Sequence, residues 1–176
     1  VDSMWVLKVK RKSSGVIEKF KARLVAKGYT QREGVDFWET FAPTVAASAL
    51  RAFLTVCKVK KMKIHQVDVA TAFLNGDIDG EVYMKPPKEF CKPGFVWKLK
   101  KSIYGLKQSP RCWATKLNEV LSKLGWSHLK ADRCIFKRAE PDGSSSYLLT
   151  YVDDFLLAAN SNEKMDVIKE ELKKEF

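Results

Sequence analysis

The sequence predicts an α+β fold: an antiparallel sheet with helices on one face, in a single domain. Three observations carry that prediction. Stretches of alternating apolar and polar residues recur along the chain. Three amphipathic runs with helical spacing interrupt them, and the two kinds do not alternate as a doubly wound parallel sheet would require. At 176 residues, with 45% hydrophobic and 11% aromatic residues, the chain can also bury a core of its own.

The elements follow in order. "MWVLKVKRK" and "VIEKFKARLVAKG" alternate around "SSG" and predict a β-hairpin with a basic outer face. "REGVDFWETFAPT" is loop-like, punctuated by Gly34 and Pro43. In "SALRAFLTVCKVKKM", Leu50, Phe53, Leu54 and Cys57 share one helical face and Ser48 is positioned to cap it. "KIHQVDVATAFLNG" begins as a strand and turns near Asn75 and Gly76. "EVYMKPP" and "FVWKLKKSIYGL" are two short strands across a Pro/Gly loop.

"SPRCWATKLNEVLSKLGW" predicts a helix capped by Ser109, with Pro110 at its first position. Trp113, Leu117, Val120, Leu121 and Leu124 line one side, and Gly125 ends it. "DRCIFKRAEPDGSSSYLLTYV" predicts a hairpin turning at "EPDG", and "NEKMDVIKEELKKEF" an amphipathic helix. There is no internal repeat and no linker-like segment.

Composition narrows the function classes. No apolar run reaches the roughly 18 residues of a membrane helix, and the N-terminus lacks the apolar core of a signal peptide. We therefore expect an intracellular protein without a membrane partner. The chain starts with Val, so we expect a segment of a longer polypeptide. Cys57, Cys91, Cys112 and Cys134 are irregularly spaced and make no zinc pattern with His65 and His128. The formal net charge is +11. Residues 1–32 hold nine Lys and Arg against two acids, and residues 85–138 hold fourteen against three, so the rest is net negative. Two basic segments around an acidic centre suit a protein that holds a polyanion and gathers cations between.

The acids of that centre are distinctive. In "SYLLTYVDDFLLAA", Asp153 and Asp154 sit between two apolar strand-like runs. A hairpin turn would explain them with no chemistry at all. Asp68, in "IHQVDVATAF", also closes a strand-like run. Antiparallel strands can bring these three carboxylates together. Gathered acids repel one another unless a cation neutralises them, and Mg²⁺ suits an all-oxygen donor set.

"KARLVAKG", "GVDFWETFAPT", "QVDVATAF", "FLNGDIDGEVYMKPP", "KSIYGLKQSPRCW" and "YVDD" together resemble the reverse transcriptases of copia-type retrotransposons, in the family's order, from Lys21 to Phe176. The resemblance implies the fingers–palm part of a polymerase right hand. Fingers would fall at about 1–43 and 76–112, and palm, an antiparallel sheet backed by helices, at about 44–75 and 113–176. Thumb and ribonuclease H domain are expected to lie beyond this segment, with integrase and protease elsewhere in the polyprotein.

It further implies RNA-directed DNA synthesis: a primer 3′-hydroxyl attacks the α-phosphate of a dNTP, assisted by two Mg²⁺ ions, with Mn²⁺ as a substitute. Asp68, Asp153 and Asp154 match the metal-binding carboxylates. Phe73 matches the aromatic gate that excludes a 2′-hydroxyl. Arg23, with Lys21 in support, matches the cation lying on the triphosphate. Gln108 would lie near nucleotide and template, and Tyr151 and Val152 would complete the box at the primer end. RNA template, DNA duplex and dNTPs are the partners implied, in a cytoplasmic virus-like particle or the nucleus. Two other readings stay open: a remnant that binds nucleic acid without catalysis, and a metal-dependent nuclease.

Overall fold

The computed structural model describes residues 1–176. Its centre is a five-stranded antiparallel sheet in the order β3 (Lys63–Asp68), β9 (Asp154–Ala159), β8 (Ser145–Tyr151), β7 (Ile135–Ala139) and β6 (Ser127–His128). Two small two-stranded sheets accompany it: β1 (Ser3–Arg11) with β2 (Ile17–Ala26), and β4 (Tyr83–Met84) with β5 (Trp97–Lys98). The helices are α1 (Ala47–Val59), α2 (Ala72–Asn75), α3 (Ser109–Lys123) and α4 (Asn162–Glu175).

Side chains on a strand alternate between faces, so the two faces of the central sheet bury different sets. Leu148, Phe155, Leu157 and Ala159 pack with Trp113, Leu117 and Leu121 of α3 and Met165, Ile168 and Leu172 of α4. The intervening residues, Leu149 and Ala158, pack with Ile135 and with Phe53 and Cys57 of α1. Helices therefore cover both faces, not the one face expected. The α1 run is apolar enough to need a sheet surface of its own.

Several details depart from the expectation. Ser48 is not the cap of α1: Ala46 holds that position, and its N–H donates to Asp132 Oδ2 at 3.3 Å. Leu54 is 40% exposed, because the buried stripe of α1 is the narrower Phe53–Cys57 pair. Gln108, not Ser109, occupies the cap position of α3. Ser109 is the first helical residue, which moves Pro110 one place inward, and its hydroxyl donates to Ile103 O at 2.6 Å. Before the turn at Gly76 lies the short α2, entered through Thr71 at φ +54°. The two-residue β6 has too little pattern to be visible in the sequence.

A third apolar cluster, Ala26, Val82, Met84 and Leu106, with Leu24 against it, ties the base of the β1–β2 hairpin to the β4–β5 region. No helix is long and apolar enough to cross a membrane.

Candidate active site

The antiparallel register brings the acids together. Asp68, the last residue of β3, pairs directly with Asp154, the first of β9. Asp154 also pairs with Tyr151, the last residue of β8. Directly paired residues share a face of the sheet, so Asp68, Asp154 and Tyr151 lie side by side at one end of it. Asp153 and Val152 form the two-residue turn between β8 and β9.

That turn is held from outside. The Val152 carbonyl accepts the Trp113 indole N–H at 2.7 Å, and the Asp153 carbonyl accepts the Val69 N–H at 2.9 Å. Val152 itself has φ +57°, a region that a β-branched residue adopts only under strain. The hydrogen bonds from α3 and from the segment after β3 fix this strained turn in place.

The three carboxylates offer an oxygen donor set, which matches a hard divalent cation in chemistry. They do not converge: no three His, Cys, Asp or Glu side chains are gathered closely enough to hold a metal ion. Asp154 Oδ1 instead accepts the Gln66 side-chain amide at 3.0 Å. Asp68 and Asp154 are exposed and Asp153 is half-buried, so side-chain rotation alone can redirect them.

The β1–β2 hairpin joins the rest of the molecule at Tyr104, whose carbonyl accepts the Ala26 N–H at 2.8 Å. Its register places Arg23 opposite Val6, Lys21 opposite Lys8 and Lys19 opposite Lys10, which gathers five cations on one face. Lys8, Lys10, Lys19 and Arg23 are exposed and Lys21 is half-buried, so the basic face is largely open to solvent, as expected. Lys21 is held below the usual lysine range, chiefly by desolvation and next by Arg23, with further pressure from Lys10 and Lys19; Asp68 opposes the shift. The Arg23 guanidinium lies 5.7 Å from the centroid of the Tyr104 ring.

Phe73, in α2, packs half-buried against the core with its ring edge-to-face on Tyr104, centroids 4.6 Å apart. The Phe73 carbonyl accepts the hydroxyl of fully buried Ser102. Gln108 is placed differently from a ligand-facing residue: only 2% exposed, it accepts from Gln31 Nε2 at 3.0 Å and donates to Asp36 O at 3.1 Å. Both ends of its amide are thereby engaged in joining loops.

Sequence reasoning missed Tyr104 and Ser102, in "KSIYGL", and the role of Trp113 as a support for the turn. Gln66, two residues before Asp68 and hence on the same face of β3, could have been found from strand periodicity. Tyr104 could not, because its neighbours come from three distant segments. Burial raises the Tyr104 phenol above its ordinary range, and Asp153 and then Asp68 raise it further against the opposing Arg23. Its ring contacts place Tyr104 between Arg23 of the hairpin and Phe73 of α2.

Beside the turn, two adjoining hollows of about 270 and 620 Å³ share Pro43, Ala114, Asn118 and Arg133. They lead from Val152 to Arg111 and Lys130.

A family model described as reverse transcriptase (RNA-dependent DNA polymerase) matches residues 1–176. The chain is 40% identical over 163 residues to the "Retrovirus-related Pol polyprotein from transposon RE1" of Arabidopsis thaliana, covering 91% of this chain and 11% of that protein. It is 36% identical over 175 residues to the "Retrovirus-related Pol polyprotein from transposon TNT 1-94" of Nicotiana tabacum, covering 98% and 13%. It is 31% identical over 169 residues to the "Truncated transposon Ty1-A Gag-Pol polyprotein" of Saccharomyces cerevisiae, covering 94% and 13%. The chain thus spans 11–13% of the length of these relatives.

Proposed function

The chain belongs to the reverse transcriptase (RNA-dependent DNA polymerase) family, and from that premise we propose that it is the fingers–palm part of a retrotransposon polymerase. Its reaction is transfer of a nucleotide from a dNTP to a primer 3′-hydroxyl on an RNA template. The observation that carries this reading is the pairing of Asp68 with Asp154, with Asp153 in the adjoining turn, in a chain whose hairpin bears Lys21 and Arg23 on one face. The central sheet with α1, α3 and α4 is the palm, at about 44–75 and 113–176. The hairpin and the β4–β5 region are the fingers, at about 1–43 and 76–112.

Asp68, Asp153 and Asp154 would hold two Mg²⁺, which in such a site lower the pKa of an attacking hydroxyl and stabilise the leaving oxygen. To serve as such a ligand, Asp154 would have to give up the hydrogen bond that its Oδ1 accepts from Gln66. Arg23 presents a planar fork of donors to the triphosphate, and Lys21 adds charge beside it. Phe73 closes the space beside the sugar. Tyr151 and Val152 meet the primer end, the latter through a turn that cannot swing because Trp113 holds it. Gln108 acts on the nucleotide side through the loops it joins, since its own amide is engaged. The hollows leading to Arg111, Lys130 and Arg133 offer a path for a phosphate backbone, read without base contacts.

The test is primer extension on an RNA template with Mg²⁺, comparing the natural chain with Asp153→Asn. Incorporation by the natural chain and its loss in the variant is the expected result. Incorporation that survives the substitution overturns the assignment of Asp153. The lack of a preassembled three-ligand cluster favours a second reading, a segment that binds nucleic acid without catalysis. Salt-sensitive duplex binding with no incorporation by the natural chain would select it.

A further inference from the structure

Tyr104 makes contacts that the functions assigned above do not use. Its ring meets the Phe73 ring edge-to-face, with centroids 4.6 Å apart and planes at 62°. The same ring lies 5.7 Å from the Arg23 guanidinium carbon. Its main chain is anchored independently, because its carbonyl accepts the Ala26 N–H at 2.8 Å. Gly105, at φ +94°, then packs so closely on Ala26 that a Cβ would overlap the Ala26 carbonyl oxygen. Two residues before Tyr104, Ser102 bonds the Phe73 carbonyl and gives its own N–H to Gly76 O at 2.9 Å.

Segment 102–105 therefore grips Phe73 by main chain and ring, and the base of the hairpin by main chain. Phe73 is only half-buried, so core packing leaves part of its ring free to reorient. A T-shaped aromatic contact favours one orientation, and an aromatic face attracts a guanidinium. One side chain thus meets both the residue at the sugar and the residue at the triphosphate.

We propose that Tyr104 is a positioning residue for sugar discrimination, holding the Phe73 ring in its gating orientation while docking Arg23. This inference rests on the polymerase reading of the site. Its consequence is specific: loss of the ring narrows the preference for dNTP over rNTP, whereas a general packing defect would weaken both alike.

The test measures equilibrium binding of dATP and of ATP to the full chain on a primer–template, with Ca²⁺ replacing Mg²⁺ so that binding is read without turnover. Tyr104→Phe should keep the natural preference. Tyr104→Leu should narrow it by about 2- to 12-fold, the range that loss of one aromatic pair allows. Duplex affinity should stay unchanged. Tyr104→Met, whose flexible side chain refills the same space, is measured beside it, with circular dichroism confirming which variants fold. A preference unchanged in a folded Leu or Met variant overturns the inference and leaves the site reading standing. A natural chain that binds neither nucleotide overturns the site reading and the inference with it.

Discussion

Replacing Trp113 by Phe tests whether the strained turn at Val152 depends on α3. The Trp113 indole is 2% exposed and donates to the Val152 carbonyl at 2.7 Å. The substitution leaves a cavity of roughly 40 Å³, which at about 24 cal/mol per Å³ costs about 1 kcal/mol. The lost hydrogen bond to a part-buried carbonyl adds about 1–2 kcal/mol. The expected total is about 2–3 kcal/mol.

Trp126→Phe supplies the control. Trp126 is equally buried, but its indole N–H has no hydrogen-bond partner, and a Phe ring would still lie beneath the Arg138 guanidinium. That variant loses the same volume and no hydrogen bond, so it should cost only about 1 kcal/mol. Urea unfolding of both variants, analysed with a common slope, measures the difference directly. Primer extension should fall further for Trp113→Phe, because a freed turn at φ +57° relaxes and carries Asp153 with it. Equal destabilisation by the two substitutions would refute the claim that the indole holds the turn.

Other perturbations probe separate parts of the molecule. Gly105→Ala forces a Cβ towards the Ala26 carbonyl at φ +94°, and strain plus overpacking should cost about 2–5 kcal/mol in urea unfolding; a change within 0.5 kcal/mol, roughly the scatter of surface substitutions, would contradict the close approach. Phe73→Val should let ribonucleotides in, relaxing discrimination about 10-fold or more in single-nucleotide incorporation, and unchanged selectivity would dismiss Phe73 as the gate. Asp142, bonded to Lys164 and Ser144, has its carboxyl pulled down from 3.8 to about 2. Because the folded value is the lower one, its stabilisation is present above about pH 4 and fades as pH falls towards 2. Thermal unfolding of Asp142→Asn across that window should lack this step, and an identical pH profile would remove the ion pair from the account.

The sequence displayed most of the secondary structure because periodicity reports which side of an element is buried. The hairpin of residues 3–26, the three long helices and the strands around Asp153 all announced themselves that way. It also placed Asp68 and Asp153 at strand ends, where register could bring them together. What it hid depends on contacts between distant segments. The apolar stripe of α1 was legible, but not that it covers the second face of the sheet. The N–H of Ala46, at the cap position of α1, is held by Asp132, 86 residues away. Gln108 looked free for a ligand because its polar partners, Gln31 and Asp36, lie more than 70 residues back in the chain. Tyr104 was one aromatic in a short strand-like run until Phe73 and Arg23 were seen against it.

The contacts at the base of the hairpin share a physical character: they join backbone to backbone or to buried amides, and so resist rotation. Gly28 and Gly105 face each other so closely that a Cβ on Gly28 would overlap the Gly105 carbonyl oxygen, and one on Gly105 the Ala26 carbonyl oxygen. Gln31 adds a bond to the Lys107 N–H at 2.8 Å and another to Gln108. The base of the cationic hairpin is therefore set against segment 102–108 by the main chain, and Ser102 sets the same segment against Phe73. The carboxylates are the opposite case, with fixed backbones and exposed or half-exposed side chains. A frame of this kind keeps Arg23, Phe73 and the three acids at constant spacing while the carboxylates alone rotate. Substitutions in the frame should then shift nucleotide selectivity and stability together, whereas Asp68→Asn and Asp154→Asn, at exposed positions, should abolish chemistry while leaving the urea midpoint nearly where it was.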